Sequence, residues 1–248
     1  MNTLTELSQK ARIRRASERG LSQIDWLKSY HTFSFNEYHD PNYTQFSCLR
    51  VMNDDTVSPS GGFHPHGHKD MEIITYVLKG QLQHKDSLGN GSMIEPGELQ
   101  RMSAGTGITH SEFNPSETCP AHFYQIWILP NQQNLTPSYE QKPFHPDEKR
   151  GLWCLLASSD AREGSVLVHQ DLSLYSRLFD ASELGQAVTY DAKEPRSIWL
   201  QVLQGKVSVD GETLGAGDGA SWTSTQAIQT SPVETETEVL LFDLPIQG

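Results

Sequence analysis

Two short stretches carry the residues best suited to chemistry: Phe63-His-Pro-His-Gly-His-Lys-Asp-Met-Glu72 and Ser103-Ala-Gly-Thr-Gly-Ile-Thr-His-Ser-Glu-Phe-Asn114. Side chains two apart on a strand share a face. His66 and His68 therefore point one way, and so do His110 and Glu112. On adjacent strands inside a barrel the two pairs converge as three imidazoles and one carboxylate. That donor set suits a divalent first-row metal, and an octahedral sphere keeps two positions open. Open positions mark a catalytic rather than a structural metal. Two neighbours compete for the site. His64 is in phase with His66, although Pro65 reads as loop. Glu72 lies four residues after His68, and spacing alone leaves it in contention, although Lys69-Asp-Met71 interrupts the strand pattern.

Nine of the ten histidines precede residue 150, so imidazole chemistry belongs to the first half of the chain. His31, His39, His84, His122, His145 and His169 read as surface or hydrogen-bonded side chains. Gly105-x-Gly107 lacks the Gly-Lys-Ser/Thr ending and a following helix, so it does not read as a phosphate cradle.

The elements that must position these residues are strands. Glu72–Leu78, Phe123–Leu129, Ser197–Leu203 and Glu238–Leu244 are short, rich in β-branched and aromatic residues, and bounded by turn formers. In Glu72–Leu78 both alternating sets, Ile73/Thr75/Val77 and Ile74/Tyr76/Leu78, are largely apolar, which marks a strand buried on both faces. Helix is sparse. Tyr76-Val-Leu-Lys-Gly80, with turns at Asn90-Gly91 and Pro96-Gly97, is echoed about 125 residues later by Gln201-Val-Leu-Gln-Gly205, with turns at Asp210-Gly211 and Gly217. Two copies of one β-barrel unit follow from this repeat. The domains expected are residues 1–135, a metal-binding barrel whose first 11 residues are a flexible tail; 136–150, a linker stiffened by prolines; and 151–248, a second barrel. Gly215 to Thr230 holds no histidine and only Asp218 as an acid, so the second barrel lacks metal ligands.

The chain of 248 residues has 19 Lys+Arg against 31 Asp+Glu, a net charge of −12. This acidity argues against a general binder of nucleic acid or anionic membrane. No apolar run approaches the roughly 18–20 residues of a membrane span. The first residues lack a signal-peptide pattern, and three distant cysteines read as reduced thiols of a cytoplasmic protein.

The paired doublets resemble the cupin superfamily: His66-Gly-His68, Glu72 and Gly80 for its first motif, then Gly105-Thr-Gly-Ile-Thr-His110-Ser-Glu-Phe-Asn114 for its second. Glu72 comes one residue earlier than in the cupin pattern, which moves the ligand carboxylate to Glu112. That departure, with Trp26–Phe35, Leu49–Asp55, Lys69-Asp-Met-Glu72, Met102–Gly107, Tyr124–Trp127 and Leu240–Pro245, resembles the bacterial pirins from Arg14 onward. The resemblance implies an all-β bicupin, two consecutive jelly-roll barrels, with one metal in the first. It carries the ligand roles onto His66, His68, His110 and Glu112. Pirins commonly have His-Pro-His, so His64-Pro-His66 stays open as a competing register. The metal implied is Fe(II), although the same donors accept Ni, Cu, Mn or Zn. Several bacterial pirins resemble quercetin 2,3-dioxygenases, which open a flavonol with O₂ and release carbon monoxide; Glu112 is then the base. The alternatives are a redox-sensing iron protein that binds a protein partner and a metal-dependent isomerase or hydrolase. A flavonoid-like substrate and O₂ are the expected partners. Two fused barrels need no partner to close, so a monomer is expected.

Overall fold

A computed structural model of the chain describes residues 10–246. The strands of the first half are β1 (Arg12–Arg14), β2 (Gly20–Gln23), β3 (Leu27–His31), β4 (Leu49–Val57), β5 (Gly62–His68), β6 (Glu72–Lys79), β7 (Leu82–Asp86), β8 (Gly91–Ile94), β9 (Glu98–Ser103), β10 (Ile108–Phe113), β11 (Ala121–Ile128) and β12 (Ser138–Pro143). After the single-turn helix α1 (Pro146–Lys149) come β13 (Cys154–Ser158), β14 (Val166–Leu167), β15 (Ser173–Leu178), β16 (Val188–Gln204), β17 (Lys206–Val209), β18 (Glu212–Gly215), β19 (Gly219–Pro232) and β20 (Glu238–Leu244). Among the described residues no helix is long and apolar enough to cross a membrane.

The first barrel closes a seven-stranded sheet, β12-β9-β6-β11-β4-β3-β2, over a four-stranded one, β5-β10-β7-β8. The second is one sheet in the order β14-β13-β15-β20-β16-β19-β17-β18. The double burial expected of β6 has a clear cause. Val77 packs inside the first barrel with Val57, Leu82, Ile94 and Phe123, and Ile73 with Met102 and Ile108. Ile74 and Tyr76 face the other way, into a core shared with Trp199, Leu240 and Phe242 of the second barrel. Two barrels therefore pack back to back through the seven-stranded sheet. A buried ion pair reinforces the seam: Lys149 Nζ donates to Glu238 (2.8 Å) and to the Tyr76 hydroxyl (2.7 Å).

The expected domain boundaries need two corrections. Residues 138–143 form a strand, not a linker, paired with β9 along its whole length from Ser138↔Ser103 to Pro143↔Glu98. Pro143 closes this edge strand, where proline's missing N–H is tolerated, and Pro146 opens α1 at a helix start, where its fixed φ fits. The second correction concerns β1, which belongs to the second barrel: Arg12 pairs with Ser221 and Arg14 with Gly219. Ile13 and Ala11 pack on that barrel's core. Most of the tail expected over residues 1–11 lies outside the described residues, and Ala11 is already tied by its N–H to Asp210 (2.8 Å).

The repeat is visible in the backbone. Gly80 and Gly205 end their strands with the same left-handed φ of +72°. A Cβ at Gly80 would lie 2.6 Å from the Pro120 carbonyl oxygen, and one at Gly205 would lie 2.7 Å from the Thr237 Cα. Only glycine suits both the angle and the space.

Candidate metal centre

Strand β5 carries His66 and His68, and its neighbour β10 carries His110 directly opposite His66. The three imidazoles turn into the first barrel, and one ligand atom of each lies within 4.8 Å of the others. Their ring centroids are 4.5, 4.8 and 4.9 Å apart. The His66 Nδ1 lies 2.8 Å from the His64 carbonyl oxygen. Because a carbonyl only accepts, Nδ1 carries the proton and Nε2 is left with its lone pair, as a ligating histidine requires. His110 is buried with neither ring nitrogen partnered, a state that costs about 1–3 kcal/mol per group unless something binds there. Burial first, and the neighbouring imidazoles second, lower the pKa of His68 to about 4 and of His110 to about 2. Both are neutral near pH 7, the form that coordinates metal. The orphaned nitrogens and neutral donors fit a divalent metal ion.

Glu112 stands two residues beyond His110 on the same inward face and is 2% exposed. Its carboxylate accepts hydrogen bonds from Gln125 Nε2 (3.0 and 3.3 Å) and from the Thr75 hydroxyl (3.4 Å). Burial raises its pKa to about 7, while those two donors hold it from rising further. Glu112 does not fall in the set with His66 and His68. It forms a second, overlapping set with His110 and His84, whose ligand atoms also lie within 4.8 Å of one another.

His84 is the histidine that spacing missed. It is fully buried on β7 opposite Glu112. Its Nε2 bonds to Asp86 (3.2 Å), and its Nδ1 has no partner. The alternation of buried Leu82 and His84 along β7 is the signal that would have turned it inward. The other histidines behave as expected where their bonds are visible: His31 with Ser22 and Asn53, His122 with Asp54, His169 with Glu72.

The two competing residues separate for structural reasons. Strand β5 runs unbroken through Pro65, contrary to the expected loop. Its register slips against β10: His66 opposes His110, but Phe63 opposes Glu112. The extra β5 residue forms a bulge that takes His64 out of phase with His66. His64 is exposed at the cavity rim, its ring 5.3 Å from Phe113. Glu72 is turned away by the break at Asp70, whose φ is +48°. In phase with Ile74 and Tyr76, it accepts from the His169 backbone N–H (3.2 Å) on the side of the second barrel.

The centre opens into a cavity of about 450 Å³ walled by Trp26, Phe35, Phe63 and Trp127. Opposite the histidines a polar row crosses the seven-stranded sheet. Register aligns His31, Asn53, Gln125 and Thr75 on neighbouring strands. Among the described residues the second barrel holds no comparable ligand set. Its Asp218 accepts from the backbone N–H groups of Ala16 and Gly215 instead.

The comparisons agree with this architecture. The pirin family profile matches residues 11–128, and that of the quercetinase C-terminal cupin domain matches residues 155–244. Over 233 residues the chain is 49% identical to a quercetin 2,3-dioxygenase of Escherichia coli (strain K12), covering 94% of this chain and 98% of that one. A putative quercetin 2,3-dioxygenase of Pasteurella multocida is 42% identical over 235 residues, 94% of this chain and 99% of its own. The crystal structure of the bacterial pirin YhhW from Escherichia coli in complex with nickel(II) superposes with a TM-score of 0.89 at 46% identity, covering 96% of this chain and 100% of that one. With both barrels matched along nearly their whole length, the chain belongs to the pirin family.

Proposed function

We propose that this protein is a metal-dependent dioxygenase that opens flavonols such as quercetin with O₂ and releases carbon monoxide. One observation carries this reading: the His66, His68 and His110 nitrogens cluster, the Glu112 carboxylate joins His110 in an overlapping cluster, and all four residues line one aromatic-walled cavity. The relatives that bear the name quercetin 2,3-dioxygenase match over almost the entire chain and support it.

His66, His68 and His110 would hold one divalent ion, with the Glu112 carboxylate beside His110 as the fourth candidate ligand. Fe(II) is the ion proposed, and the nickel-bound relative supports a site that also takes Ni(II). When bound, the metal supplies a Lewis acid that stabilises negative charge on a substrate oxygen. The chain's own residues do the rest. Glu112, buried beside His110 and held by Gln125 and Thr75, accepts the proton of the flavonol 3-hydroxyl at a carboxylate oxygen. Gln125 and Thr75 fix that carboxylate, so the proton transfer needs no reorganisation. Trp26, Phe35, Phe63 and Trp127 enclose the flat ring system and exclude water from the cavity. Glu112 as both ligand and base requires a loose metal–carboxylate bond.

The test loads the protein anaerobically with Fe(II) or Ni(II), adds quercetin and then O₂, and follows carbon monoxide. Wild type and His64→Ala are expected to release it, and His66→Ala is not. Fully metal-loaded protein that yields no carbon monoxide would overturn the dioxygenase reading.

A further inference from the structure

Asp55 sits on β4 between Ser29 of β3 and Phe123 of β11, lining the same cavity and 3% exposed. Its neighbour Asp54 points to the other face and takes the local cations: Arg19 at 3.1 Å and His122 at 2.6 Å. Among the described residues Asp55 has no ion pair. Its Oδ1 is buried without a hydrogen-bond partner, and Ser29, opposite it on β3, is a side chain that favours its charged form. A buried carboxyl oxygen without a protein partner costs folding free energy. Ligand-facing sites tolerate that cost when a ligand supplies the missing partner.

Position says which part of a ligand it meets. Along β11, Gln125, which holds Glu112, comes two residues after the partner of Asp55, and Trp127, which packs on His68, comes two residues later still. At the rise of a strand, Asp55 lies about 7 Å along the sheet from the Glu112 rung, and about 13 Å from the rung of Trp127. A flat ligand with its metal-binding oxygens near the histidines reaches Asp55 with a substituent of an outer ring. Trp26, Phe63 and the neutral Ser29 and Asn53 share the cavity wall with Asp55, an apolar setting that suits a neutral hydroxyl partner better than a cation.

We propose that Asp55 is a specificity-determining residue, hydrogen-bonded to a phenolic hydroxyl remote from the metal and so selecting polyhydroxylated aromatics over bare ones. This rests on the flavonol reading of the site. The test compares quercetin with 3-hydroxyflavone, which keeps the metal-binding oxygens but has no outer-ring hydroxyls. Equilibrium binding to nickel-loaded protein is measured without O₂ from the quenching of tryptophan fluorescence. Asp55→Leu is expected to weaken quercetin about 10- to 100-fold and 3-hydroxyflavone less than about 3-fold, at unchanged nickel stoichiometry. Asp55→Asn, which preserves volume and an acceptor, is expected to keep quercetin binding within about 5-fold of wild type. For Asp55→Leu, parallel loss of both ligands or no change in either overturns the assignment, as does wild type that binds neither. Selective binding without carbon monoxide release overturns the dioxygenase reading and leaves Asp55 in its role.

Discussion

The two barrels share one unit and fill it differently. Aligned at Gly80 and Gly205, the rung where Thr75 faces Gln125 in the first barrel is the rung where Leu200 faces Leu241 in the second. In the first, that pair donates to Glu112 and sustains a polar cavity. In the second, Leu200 and Leu241 join Ile198, Val202, Val207, Trp222 and Val239 in a closed apolar core. Among the described residues of the second barrel, the absence of a ligand set goes with the absence of polar residues that would support one. A cupin barrel does not need a metal to be stable; a few inward positions decide whether it encloses a reaction space or a dry core.

The largest effect that sharpens this contrast is expected at Glu112. Glu112→Gln keeps the shape and removes the base, so turnover should fall about 10²- to 10⁴-fold while metal content by elemental analysis stays close to wild type. Loss of both together would count against the dual role. The same variant has a signature in metal-free protein. Glu112 binds its proton up to about pH 7 when folded, against an ordinary value of 4.5. The folded state therefore holds a proton that the unfolded chain releases between those values. Stability from this group falls as pH rises through that window and is flat above it. Glu112→Gln should exceed its parent by about 3 kcal/mol at pH 8 and match it at pH 4, measured by urea unfolding.

A second change attempts to make the second barrel resemble the first. Leu241→Gln buries an amide where no partner exists, and should cost about 2–3 kcal/mol with no gain in bound metal. Bound metal rising above one ion per chain would break the contrast. The smallest effects test the repeat itself. Gly80→Ala and Gly205→Ala should each cost about 1–3 kcal/mol, read as a lowered Tm, at full metal content. A large effect at one glycine and none at the other would show that the two turns are not equivalent.

Much of this was legible in the sequence because period two is a local rule. His66, His68, His110 and Glu112 were placed on inward faces by spacing within single strands, and the glycine repeat announced two barrels. What stayed hidden depends on which strands become neighbours. His84 meets Glu112 only through the β7–β10 register, and Gln125 meets Thr75 only through β6–β11. Polar residues inside otherwise apolar strands, Thr75, Gln125 and Asp55, were the available signal, but their shared cavity is a property of the closed barrel. The bulge that separates His64 from His66 is likewise set by the partner strand. The edge strand β12 was hidden by its polar composition and flanking prolines, which suit a linker equally well.

Strand β1 gives the molecule an order of assembly. Arg12 pairs with Ser221, some two hundred positions along the chain. At ribosomal speeds of 5–20 residues per second, β1 waits about 10–40 s for its place to be synthesised. The first barrel can close in that interval, but β1, the earliest described strand, docks among the last. A nascent protein stalled before residue 219 would carry β1 as an unpaired edge, open to strand exchange with another chain.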